Sequence, residues 1–262
     1  MPHIFSKTDA ELAYGLAWAH AEDDFKTIQQ GYLAGNSLLS DVEGKKALGI
    51  DFISQFIGSD RLYEEKYLSD ISDEYKAIIE AYCEGINRFA ELHPEQILSK
   101  KLFPINTKSL FLYGQLQLFV SSKGDYWVKK ILKNKLNYKP INDGVKGSNT
   151  FAFNSSKTKN GNTYLAINTH QPLDGPTSWY EVHLNSEEGT DIIGALFAGS
   201  PNVLIGANRN IAWAHTVNIP DKTDVFALEM HPTKKRYYRV DEEYLKLKKH
   251  RARLIVKILG LS

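Results

Sequence analysis

Cysteine is nearly absent from this 262-residue chain, and the single one, Cys83, has no partner for an internal disulfide. No Cys/His pair stands at zinc-ligand spacing either, so the sequence offers no structural zinc site. An excess of one charge is also lacking. Lys and Arg number 32 against 31 Asp and Glu, a formal net charge of +1, which gives no whole-molecule field for nucleic acid or an anionic membrane. Apolar runs all fall short of the ~20 residues that span a bilayer. Met1 leads directly into Pro2, His3, Ile4 and Phe5 without the basic and apolar regions of a signal peptide. What is present is core-forming material, 42% hydrophobic and 11% aromatic. A chain of this length hides roughly three quarters of its unfolded surface, which excludes disorder as the main state.

Periodicity divides the chain near residue 147. Before it the pattern is helical: Thr8 and Glu11 form a capping box, and Leu12, Leu16 and Ala19 share one face of a helix expected over residues 9–30. A second helix is expected after Ser72, with Tyr75, Ile78, Ile79, Tyr82, Ile86 and Phe89 at the 3.6-residue period and His93-Pro94 as its stop. Cys83 lies on its apolar side. Lys108 to Val120 is apolar nearly all round and predicts a fully buried helix. Residues 133–147, with four lysines, Pro140 and Gly144, have loop chemistry.

After the loop come short β runs. Phe151 to Phe153 and Thr163 to Ile167 flank a turn signal at Asn160-Gly161, and further strands are expected over 179–184, 191–196, 202–205 and 211–216. Residues 237–240 and 244–248 read as a hairpin. Helices followed by an antiparallel meander argue for an α+β fold. The run Lys246 to Arg253 is basic, but it lacks an aromatic stacking platform and lies beside Asp241, Glu242 and Glu243, so it reads as a strand face. Arg253 to Ser262 reads as a strand that stops without a partner, which is expected of a fragment.

Chemistry concentrates around Lys146, Gly147, Ser148 and Asn149. Taken alone, Gly-Ser in a loop is a turn. Beyond it stand NTHQP (residues 168–172), GANRNIAWAHT (206–216) and DKTD (221–224), and ahead of it DAELAYGLAWAHAED (9–23). This ordered set resembles the penicillin acylase family of N-terminal nucleophile hydrolases, which includes penicillin amidases and acyl-homoserine lactone acylases. The resemblance implies a four-layer αββα sandwich, here incomplete, and a precursor that cuts itself between Gly147 and Ser148. It divides the chain into an α-subunit-like region (1–132), a linker and processing segment (133–147) and the start of a β-subunit-like nucleophile domain (148–262). Processing would yield an α/β heterodimer, and the family is commonly exported to the periplasm or beyond the cell.

The physical logic of such a serine stands apart from the family. A free α-amino group has an ordinary pKa of about 7.7–8.0, so near neutral pH it accepts the proton of its own hydroxyl, directly or through one water. Before the cut, the same hydroxyl can attack the Gly147 carbonyl, which no side chain shields. By resemblance, the Val217 N–H is one oxyanion donor, and the second is an asparagine farther along than these residues, so the fragment alone is expected to be inactive. His170 would orient the amine or support the oxyanion site. Asp221, Thr223 and Asp224 match the ligands of a structural calcium, although Ser109-Leu110 stand where the family has a further glutamate, and an acidic turn without an ion fits these residues equally well. An acyl pocket is expected between the helical half and strands near Phe151, Trp179 and Phe197. The expected substrate is a small N-acyl amide such as an acyl-homoserine lactone or a penicillin, with no nucleic-acid or membrane partner. The rival expectation is a non-catalytic binding domain, or a decayed acylase, of the same fold.

Overall fold

A computed structural model describes residues 1–134, 147–217 and 223–257. A short strand, β1 (His3–Ser6), leads into α1 (Asp9–Gly35), and α2 (Leu39–Glu43), α3 (Leu48–Phe56) and α4 (Ser59–Asp70) follow. The long α5 (Asp73–Leu92), α6 (Thr107–Ser121) and α7 (Gly124–Leu132) complete the helical half. The second half contributes β2 (Ser148–Phe153), β3 (Tyr164–Thr169), β4 (Trp179–Ser186), β5 (Asp191–Phe197), β6 (Ile205–Ala207), β7 (Ala212–Trp213), β8 (Tyr237–Val240) and β9 (Glu243–Lys246). Helix and sheet content together make this an α+β chain. None of the described helices is long and apolar enough to cross a membrane.

The capping box at Thr8 is formed on both sides: its hydroxyl accepts from the Glu11 N–H while the Glu11 carboxylate accepts from the Thr8 N–H. Helix α1 bends at Asp24, whose backbone leaves the helical region, and the Asp24 carboxylate accepts from the Thr27 N–H to restart the helix. α1 and α5 pack so closely that a Cβ on Gly85 would lie 2.6 Å from the Tyr14 carbonyl oxygen. Their shared core includes Leu16, Ile28, Tyr82 and Ile86. Helix α6 departs from expectation. It buries only the face of Ser109, Leu112, Tyr113 and Leu116, and leaves Leu118 and Val120 exposed, because α1 covers it from one side.

The main sheet has the order β1-β4-β5-β6-β7. β1 pairs with β4 in parallel, His3 opposite His183, so a strand from the helical half is built into the sheet of the second half. Val182, Leu184 and Leu196 turn toward the helices and join the core. Tyr32 reaches across to donate to the Gly199 carbonyl at 2.9 Å. The β2–β3 hairpin forms a separate two-stranded sheet, as do β8 and β9. Loop 154–163 joins β2 to β3 and is wider than a two-residue Asn-Gly turn, because the Asn154 side chain caps a short 3₁₀ turn at Ser155–Lys157. The strand expected from Arg253 onward does not form over 253–257. That stretch runs extended along the helical half, held by side chains rather than by a ladder.

Candidate active site

Ser148 opens β2, opposite Thr169 on β3, and is partly covered. Its hydroxyl makes no hydrogen bond among the described residues. Gly147, one residue upstream, is gripped twice by His170: the His170 N–H donates to the Gly147 carbonyl oxygen at 3.3 Å, and the Gly147 N–H donates to His170 Nδ1 at 3.3 Å. The ring's other nitrogen, Nε2, lies 3.4 Å from the Asn149 side-chain amide. Nδ1 serves as the acceptor for the Gly147 N–H. Sequence and structure thus bring Gly147, Ser148 and His170 together.

Strand alternation then sorts the side chains. Ser148, Thr150 and Ala152 share one face of the hairpin, and Asn149, Phe151 and Phe153 the other. The His170 ring meets Asn149, so it holds the peptide before Ser148 rather than the serine hydroxyl. Phe151 is 58% exposed on the face opposite Ser148. On the Ser148 face, Thr150 Oγ1 is buried without a partner among the described residues.

Trp179 and Phe197 stand opposite each other on β4 and β5 and stack at 4.3 Å between ring centroids. They belong to the alternate register from Val182, Leu184 and Leu196, and so lie on the sheet face turned away from the helices. The helix-facing side is filled by those core residues. Trp179 Nε1 is also buried without a partner among the described residues. Val217 lies beyond β7, half exposed, and no hydrogen bond among the described residues joins it to the Ser148 hairpin.

Of the calcium expectation, Asp221 lies outside the described residues, as do linker residues 135–146. Thr223 uses its hydroxyl on the Ser122 carbonyl, Asp224 is exposed, and Ser109 is tied to the Asn106 cap. No group of three or more His, Cys, Asp or Glu placed to hold a metal ion occurs among the described residues.

One polar cluster has no counterpart in the sequence reading. His3 and His183 meet through their Nδ1 atoms at 3.0 Å, and His183 Nε2 reaches Asp191 at 3.2 Å, with Arg209 3.4 Å from the same carboxylate. Hydrogen bonds from His183 and Asn185 hold the Asp191 carboxyl below its usual range. The group edges a cleft of about 460 Å³ with Phe5 and Ile193 at its apolar side. Only the parallel pairing of β1 with β4 creates it, and nothing local to His3 signals that pairing.

The family model described as penicillin amidase matches residues 1–258. An acyl-homoserine lactone acylase PvdQ of Pseudomonas fluorescens is 23% identical across 98% of this chain, and one of Pseudomonas putida is 24% identical across the same share. In each case the chain spans 37% of the relative's length. Aculeacin-A acylase of Actinoplanes utahensis is 34% identical over 36% of this chain and 12% of its own length. With a match that runs through both the helical half and the Ser148 hairpin, the chain belongs to the penicillin amidase family.

Proposed function

We propose that this chain forms part of a self-processing acylase that hydrolyses the amide of a small N-acyl compound through an acyl-Ser148 intermediate. The grip of His170 on Gly147 carries the reading. In the processing step, Ser148 Oγ attacks the Gly147 carbonyl carbon, the Gly147–Ser148 C–N bond breaks as its nitrogen takes up a proton, and water then hydrolyses the resulting ester. The His170 N–H already points at the oxygen on which charge develops, where a donor is worth roughly 3–4 kcal/mol. The ring bond to the Gly147 N–H anchors the preceding peptide unit, on the other side of the Gly147 Cα from the bond under attack.

In turnover the freed α-amino group takes the Ser148 proton and passes it to the leaving amine. The Val217 N–H is assigned as one oxyanion donor. The second is not among these residues, so the chain alone is expected not to turn over. Trp179 and Phe197 offer an aromatic surface for a fatty or aromatic acyl group, and an acyl-homoserine lactone or a penicillin carries such a group on an amide. The reading includes a four-layer αββα sandwich completed by polypeptide beyond these residues, an α/β heterodimer after the cut, and an exported location. Calcium at Asp221, Thr223 and Asp224 would be structural, and no step depends on it.

Intact mass and N-terminal sequencing of the protein and of Ser148→Ala test the proposal. A product beginning Ser148-Asn149-Thr150 is expected from the parent and not from the variant. A parent that stays uncut, or a variant that is cut normally, overturns it.

A further inference from the structure

The helical half carries a second feature that the proposed reaction does not use. Residues 253–257 lie across α2 and α3, and the hydrogen bonds they make there use their main chain, while the Lys257 charge also acts on Asp41. The Gln55 side-chain amide accepts from the Arg253 N–H at 2.9 Å and donates to the Arg253 carbonyl at 2.5 Å, imitating a neighbouring β-strand. The Ser40 hydroxyl lies 2.6 Å from the Ile255 carbonyl, and the Lys257 N–H donates to the Ser40 carbonyl at 3.0 Å. Arg253, Ile255 and Lys257 are exposed, while Leu254 and Val256 are partly covered, as alternation along an extended strand requires.

The receiving side is built for this. Asp51, fully buried, accepts from the Leu39 N–H and the Ser40 N–H and so fixes the loop that presents Ser40, whose single hydroxyl hydrogen goes to either the Asp51 carboxylate or the Ile255 carbonyl. Gly44 closes the far end: a Cβ there would come within 3.3 Å of the Lys257 carbonyl. We infer that Ser40, Asp51 and Gln55 form a strand-docking site that takes an extended polypeptide by its main chain, and that residues 253–257 are its resident occupant. Side chains at alternate positions face outward, so the site tolerates sequence change at Arg253, Ile255 and Lys257. It excludes a helical or turn segment, whose N–H and C=O groups are already engaged within the segment. This mode of recognition adds a strand to a partner that offers strand-like donors and acceptors, here supplied by helix side chains. The inference is independent of whether the Gly147–Ser148 bond is cut.

Limited trypsin digestion of the full chain, followed by mass spectrometry, tests it, since the segment carries its own cleavage sites. Lys249 lies ahead of the docked stretch and Arg253 within it. Two main-chain bonds at Arg253 are expected to slow cutting after Arg253 about tenfold relative to Lys249. Gln55→Ala removes both bonds and should bring the two rates together, with an unchanged far-UV spectrum as the check on folding. Ser40→Ala should raise the Arg253 rate in the same direction. Ile255→Thr, which alters only an outward side chain, should keep the protection. Equal cutting at both sites in the parent, or a ratio unmoved in Gln55→Ala, overturns the site. Loss of protection in Ile255→Thr overturns main-chain recognition.

Discussion

Replacing His20 with phenylalanine should remove an acid sensitivity that the fold creates at the contact between α1 and β4. His20 is 2% exposed, and its ring stacks on Tyr180 with centroids 3.9 Å apart and planes 3° from parallel. Its Nδ1 has no hydrogen-bond partner among the described residues, and the Tyr180 hydroxyl donates to Asp23 at 2.6 Å. Burial lowers the His20 pKa from 6.5 to about 4, although Asp24 and Asp23 pull it upward. Between these two values the unfolded chain binds more protons than the folded one. Stability is therefore fully present above about pH 6.5 and is lost as the pH falls toward 4. At about 1.4 kcal/mol per pH unit, the loss reaches roughly 3 kcal/mol at the acid end and about 2 kcal/mol between pH 7 and pH 5. His20→Phe keeps the ring stack and cannot titrate. Urea unfolding of both proteins from pH 7.5 to pH 4.5 isolates the histidine, because the carboxylates are common to the two. The variant should gain about 2 kcal/mol on the parent between pH 7 and pH 5. A constant difference across that range refutes the reasoning.

Two further outcomes follow from the same core. Burial pushes the Cys83 thiol up to about 12, so a thiol reagent at pH 8 should leave the native protein unmodified and label it only as fast as it unfolds; rapid native labelling counts against the packing of α5. Gly85→Ala drives a methyl into the Tyr14 carbonyl and should lower stability by about 1–3 kcal/mol in denaturant unfolding, despite alanine's higher helix propensity. A neutral or stabilising result would show that α1 and α5 are less tightly apposed.

What could be read from the sequence depended on how local its cause was. The α1 start needs only Thr8 and Glu11, three residues apart, and α5 needs only the spacing of its apolar residues, so both were legible. β1 was not, because four residues carry no period and their partner, His183, lies 180 positions away. The extended path of 253–257 was hidden for the same reason: its β-branched composition signals a strand, but its partners are the side chains of Ser40 and Gln55. At the site, residue types in order revealed Gly147, Ser148 and His170. The facing of Phe151 depends on strand register, and the sheet side of Trp179 and Phe197 depends on which residues the helices had already covered.

The Ser148 hairpin also has a consequence for local stability. Two strands alone are marginal in water, and among the described residues β2 and β3 pair only with each other while Phe151, Phe153, Tyr164 and Ile167 remain exposed. The amides around Ser148 should therefore exchange with deuterium through small openings that leave the α1–α5 core intact. Ser148 thus sits on a unit that opens more readily than the core, and any polypeptide layer laid over that hairpin would register first as slowed exchange at Ser148 and its neighbours.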